Sequence, residues 1–277
     1  MDVQPFHDSS RENQRQLHQL RRQGHRGGEI LTHRAIRSLN LPWQRLIGGA
    51  LLALAFTGLL AAVQPWVALL WGAEMEGWMK ALALPGQFAM AVPGDGNLFI
   101  LPVPMIDLPA HNLARAGVAA HGLAVVAVWV LAGWLPDAAK PGAFVLRFAA
   151  LLHGSAVLYF LFWPASFPHA LSAHVSGGLR QSWALMLITP WLHLCTYYLF
   201  PFPAWQRVAL TAVTLLFITV LAPLQYASHV ALLHLAGPIL MPLLYLLFGL
   251  MVPVLGLVAL YGWAMSWCAP TPERQGA

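Results

Sequence analysis

QYASHVALLHLAGPILMPLLYLLFGLMVP, residues 225–253, decides what kind of chain this is. His229 and His234 stand beside Gly237 and Pro238. The apolar run after them carries no charge and is interrupted by Pro242 and Pro253. A related pattern, FPHALSAHVSGGL at residues 167–179, carries His169 and His174. Both stretches read as histidine-bearing turns that join membrane hairpins.

Composition supports a membrane reading. The 277 residues are 58% hydrophobic and 9% charged, where a soluble domain has about a quarter charged. Charge-free runs of this length mark a polytopic membrane protein. Six spans follow, at about 46–71, 116–135, 143–164, 181–200, 208–226 and 237–267. At 1.5 Å per residue each is long enough to cross a bilayer. Trp134, Trp163, Trp183, Trp263 and Trp267 fall near span ends, as an interfacial aromatic belt requires. The expected architecture is all-α, with about six transmembrane helices and both termini cytoplasmic.

The flanking segments fill in the organisation. Residues 1–45 form a polar arm with eight arginines and four acids. It suits a topology determinant that touches anionic headgroups. Aromatic interleaving and nucleic-acid motifs are missing from it, so no nucleic-acid partner is expected. Residues 72–113 are expected as a periplasmic loop. MEGWMKAL suits an interfacial helix, and VPGDGNLFILPVPMIDLP is extended because its prolines forbid a helix. Residues 46–268 are then the membrane domain and 269–277 a cytoplasmic tail.

Charge bias sets the orientation. With the N-terminus cytoplasmic, the eight arginines of the arm join Lys140, Arg147, Arg207 and Arg274 inside. These twelve face only Lys80, Arg115 and Arg180 outside. A bacterial inner membrane is the expected location.

That topology sorts the histidines. His121, His153 and His193 come from three different spans and are candidates for cofactor binding. Facing histidines on neighbouring helices ligate haem iron or copper. His111, His169, His174, His229 and His234 lie at the outer face and are candidates for a metal site. Their spacing argues the other way. Five residues along an α-helix separate side chains by roughly 140°, so neither HALSAH nor HVALLH forms a same-helix metal pair. Histidines packed against backbone or water remain an open reading. The two pairs also suggest a parallel repeat of spans three–four and five–six.

Several chemistries are disfavoured. No Asp or Glu lies in any of the six spans, whereas ion-coupled transporters usually place carboxylates there. HExxH, GxSxG and Walker motifs are absent. Cys195 and Cys268 are isolated and read as small buried apolar residues. SHVALLHLAGP, residues 228–238, resembles the histidine-bearing helices of cytochrome-oxidase assembly proteins over this one segment. The histidine spacing of those helices differs, and no residue role follows.

Three functions fit these observations. The first is a non-enzymatic accessory or scaffold subunit of an inner-membrane complex, in contact with the lipid bilayer and other membrane subunits. The second is a haem- or copper-binding redox or assembly protein. The third is a transporter or channel built from proline-kinked hairpins.

Overall fold

A computed structural model describes residues 43–90, 101–107, 113–199 and 202–267. The arm to residue 42, His111, Cys268 and the tail lie outside the described residues.

Among the described residues there are six long helical segments: α1 (Trp43–Ala81), α2 (Arg115–Gly133), α3 (Lys140–Phe162), α4 (Leu171–Leu199), α5 (Ala204–Ala236) and α6 (Pro238–Met265). All but α4 are long and apolar enough to cross a membrane. α4 has the length, 29 residues, but its apolarity is diluted by His174, Arg180, Gln181 and His193. Short connections make α2 and α3, α4 and α5, and α5 and α6 antiparallel neighbours, while α3 packs on the first turns of α6 rather than on α4. Large apolar side chains cover the outside, among them Leu123, Phe144, Leu216 and Val258. In water they would be an aggregation surface; they suit contact with lipid.

The helices overrun their expected ends. α1 continues through MEGWMKAL to Ala81, so that segment is not a separate interfacial helix. Glu76 and Lys80, one turn apart at 2.6 Å, stabilise its exposed end only modestly. α4 starts at Leu171, ten residues before the expected span, and α5 runs ten residues beyond Tyr226. His229 and His234 therefore sit in the last turns of a helix rather than in a turn. α5 stops at Gly237, whose φ of 77° suits only glycine, and whose N–H bonds the Leu233 carbonyl at 2.9 Å. The two histidine pairs are not structurally equivalent. One opens α4 and the other closes α5, so the expected repeat is not seen.

The loop after α1 also departs from expectation. Gln87–Met90 (β1) pairs antiparallel with Pro104–Asp107 (β2), with Gln87 opposite Asp107. Leu101, Val103 and Ile106 are fully buried against Trp71, Met75, Met79, Val175 and Leu179. FILPVPMI is not long enough to span, and its described part packs on the ends of α1 and α4.

The main core lies between α1, α4 and α5. Trp183, expected in the interfacial belt, is fully buried there. Trp43, Trp66, Trp134, Trp163 and Trp205 are exposed instead. Cys195, expected to be buried, is exposed.

Two of the prolines inside helices are compensated from a neighbouring helix. A proline leaves the carbonyl four residues earlier without its helical donor. Pro223 does this to Thr219 O, and the Trp71 indole N–H donates to that oxygen at 2.9 Å. Pro253 does it to Gly249 O, inside a π-helical segment at Leu244–Leu250. There the Gln225 amide donates to Phe248 O at 2.7 Å and Gly249 O at 3.3 Å. Lipid offers no hydrogen bonds, so such groups must be satisfied within the protein.

Candidate functional site

Two pairs of histidines meet across helices. The first joins His174, the fourth residue of α4, to His229, seven residues from the end of α5. His174 Nε2 and His229 Nδ1 are 3.2 Å apart. His174 is 7% exposed and His229 2%. Antiparallel packing of α4 and α5 places these positions at one level. Gly178 lets the helices close, because the ring of Tyr226 lies where a side chain at 178 would be. The same ring stands edge-on to His229 at 5.1 Å and to His174 at 6.0 Å. Tyr245 from α6 lies 6.1 Å from His174.

The second pair joins His121 of α2 to His153 of α3, with Nδ1 and Nε2 at 3.1 Å. Each is followed by glycine, in HGL and HGS. A Cβ on Gly154 would sit 3.4 Å from Val125, and one on Gly122 would sit 3.6 Å from Val157. These two glycines hold the helix axes close enough for the rings to touch. His153 is buried, and its Nδ1 has no partner. His121 is half-buried and lines a groove of about 440 Å³ between α2 and the end of α5. Leu113, Ala114, Gly117, Ala124 and Leu235 form the apolar walls of this groove.

His193 joins neither pair. It lies 19 residues further along α4 than His174, roughly 28 Å along the axis. Its Nδ1 meets Thr211 Oγ1 at 3.1 Å and Tyr197 OH at 3.3 Å. Tyr197 OH also donates to Arg207 O, and Arg207 Nε–H donates to Phe202 O. This cluster fastens the α4–α5 connection and reads as structural. His169 is exposed beside Phe167, and His234 is half-buried on another side of α5 from His229. Of the expected outer set, the structure therefore brings together His174 and His229 alone, with His111 outside the described residues.

The geometry limits the chemistry. In the first pair the ring centroids are 5.4 Å apart, only 2.2 Å more than the facing nitrogens. The nitrogens thus point at one another head-on. A direct N–H···N bond requires one bare nitrogen, so each pair holds a net charge of zero or one and never two. What lies between the nitrogens is a single proton, and a small cation can take its place. With metal–nitrogen bonds of about 2.0 Å, a two-coordinate ion needs about 4 Å between ligands. The pair must then widen by about 0.8 Å, which a small side-chain rotation supplies.

Haem does not fit either pair. Its axial ligands stand on opposite faces of a macrocycle, and the helices that carry each pair pack too closely at Gly178, or at Gly122 and Gly154, to admit so wide a group between them. Among the described residues no group of three or more His, Cys, Asp or Glu is placed to hold a metal ion. A four-ligand zinc site is accordingly not built from described side chains.

Sequence reasoning missed the HG signature shared by His121 and His153. It also missed Tyr226 and Gln225, which carry no motif. The i,i+4 relation of Gln225 and His229 puts both on the inner face of α5, and that was available from the sequence.

No protein-family model matches the chain. No curated protein matches it, and no solved structure does.

Proposed function

We propose that this chain is a polytopic membrane protein that binds copper(I) between His174 and His229 and serves the assembly of a membrane complex. The observation that carries this reading is the head-on pair of imidazole nitrogens at 3.2 Å, buried among Tyr226, Tyr245 and Gly178. Imidazole suits copper, and copper(I) accepts two ligands in line, whereas zinc requires four. Among the described residues no carboxylate joins a metal-holding group with the pair, which fits a singly charged ion better than a doubly charged one. In this reading the protein lies in a bacterial inner membrane with both termini cytoplasmic, following the charge bias of its ends. The histidine pairs then belong to the periplasmic half.

The test is anaerobic titration of the purified full-length protein with copper(I) against a chromogenic chelator. X-ray absorption of the loaded protein accompanies it. One tightly held equivalent with two nitrogen ligands is expected, lost in His174→Gln and His229→Gln. Binding that is unchanged in both variants refutes the reading.

A second reading, an accessory or scaffold subunit without an ion, is favoured by the outer face of α1. Gly49 and Ala53 pack inward, with Leu194 seated over Gly49. Gly58 and Ala62 face outward and offer a close approach to another helix. Crosslinking from Gly58→Cys in native membranes tests it. Recovery of lipid adducts alone removes its support.

A further inference from the structure

We propose that His121 and His153 form a second copper(I) station, reached from the groove between α2 and α5 and weaker than the buried pair. This rests on the copper reading given for His174 and His229.

The two pairs share their geometry. Nitrogens face at 3.1 Å in one and 3.2 Å in the other, each between adjacent antiparallel helices. In the second pair the centroid separation exceeds the nitrogen separation by 2.0 Å, so its rings also meet head-on. Both pairs lie at the same end of the bundle. His121 is the seventh residue of α2 and His153 is nine residues from the end of α3. α2 begins, and α3 ends, at the end where α4 begins and α5 ends. His193 and its cluster occupy the opposite end.

The pairs differ in access. His121 is half-buried and lines a groove wide enough for a hydrated ion or a small carrier ligand, while His174 and His229 are 7% and 2% exposed. His153 leaves its Nδ1 buried and unpartnered, and among the described residues no hydrogen bond reaches the second ring nitrogen of His174 or His229 either. Water and carrier ligands therefore compete for an ion at the accessible pair more than at the buried one. An accessible station beside a buried one is the arrangement that passes an ion inward. The ion leaves a weaker pair for a stronger one, and no electron transfer is involved.

Copper(I) itself is the probe, titrated anaerobically into full-length protein in nanodiscs with a competing chelator. Wild type is expected to bind two equivalents in two resolved phases, the second more weakly than the first. His121→Gln and His153→Gln should each remove the weak equivalent and leave the tight one. His174→Gln and His229→Gln should remove the tight one and leave the weak. A single equivalent that survives His121→Gln and His153→Gln overturns this proposal and leaves the first reading standing. No bound copper(I) overturns both. Should any variant fail to fold, the two-phase titration of wild type decides alone, and a single phase of one equivalent refutes the second station.

Discussion

Replacing Trp71 with phenylalanine tests the account of how this bundle tolerates proline. Trp71 is fully buried, and its indole donates to the carbonyl that Pro223 deprives of a helical partner. Phenylalanine removes that donor and some ring volume. Stranding a buried carbonyl costs about 1–3 kcal/mol, with an added cost for the cavity. The two costs separate in a double-mutant cycle with Pro223→Ala. Alanine at 223 restores an N–H four residues after Thr219, so the carbonyl has a donor whatever stands at 71. Trp71→Phe in that background should cost only the packing. The coupling between the substitutions should therefore be about 1–3 kcal/mol, equivalent to roughly 5–150-fold in the unfolding equilibrium. Reversible unfolding in mixed detergent micelles measures all four corners of the cycle. Additivity within about 0.5 kcal/mol would show that Trp71 acts by bulk alone, and the reasoning would fail.

Other substitutions probe the remaining contacts. Gln225→Leu strands Phe248 O and Gly249 O, and should destabilise by about 1–3 kcal/mol while raising amide exchange around residues 248–253. Gly178→Val drives a side chain into the ring of Tyr226 and should cost at least about 1–3 kcal/mol. Pairing it with Tyr226→Ala should recover part of that loss, and no recovery would mean the clash lies elsewhere. Acidification that protonates both members of a histidine pair sets two cations about 3 Å apart and breaks the bond between them. Stability should therefore fall as pH falls, and His174→Gln should flatten that dependence. A reporter fused at residue 90 should report the side opposite to one fused at the N-terminus.

Much of the fold was legible because lipid imposes a simple grammar. Long uncharged runs gave the helices, and their approximate positions followed from where charge and proline resume. Helix ends were misplaced where a polar residue lies within a helix rather than beyond its end. His229 and Arg180 looked like boundaries, yet His229 has its partner in His174, and Arg180 reaches outward from α4. Trp183 was placed in the belt by its position near a span end. That end moved when α4 proved longer, and the residue fell into the core. The pairing of His174 with His229 depended on which helices are neighbours, which periodicity along one helix cannot state. The five-residue spacing within each sequence pair was correctly unhelpful, since each pair is divided between different faces. The β-hairpin was invisible because its strands are four residues each and rich in proline-flanked apolar side chains.

The π-helical segment of α6 also bears on how this chain tolerates changes in length. A π turn takes up one residue more than an α turn. Removing a single residue between Leu244 and Leu250 would let that segment rewind as α-helix. Everything after it would keep its orientation, because six α residues turn through about the same angle as seven π residues. Phe217 would still lie over Gly256, and the carbonyl that Pro253 strands would still face Gln225. The same deletion elsewhere in α6 would rotate all that follows by about 100°. The π segment is thus the one stretch of α6 that can give up a residue while both of its halves keep their faces.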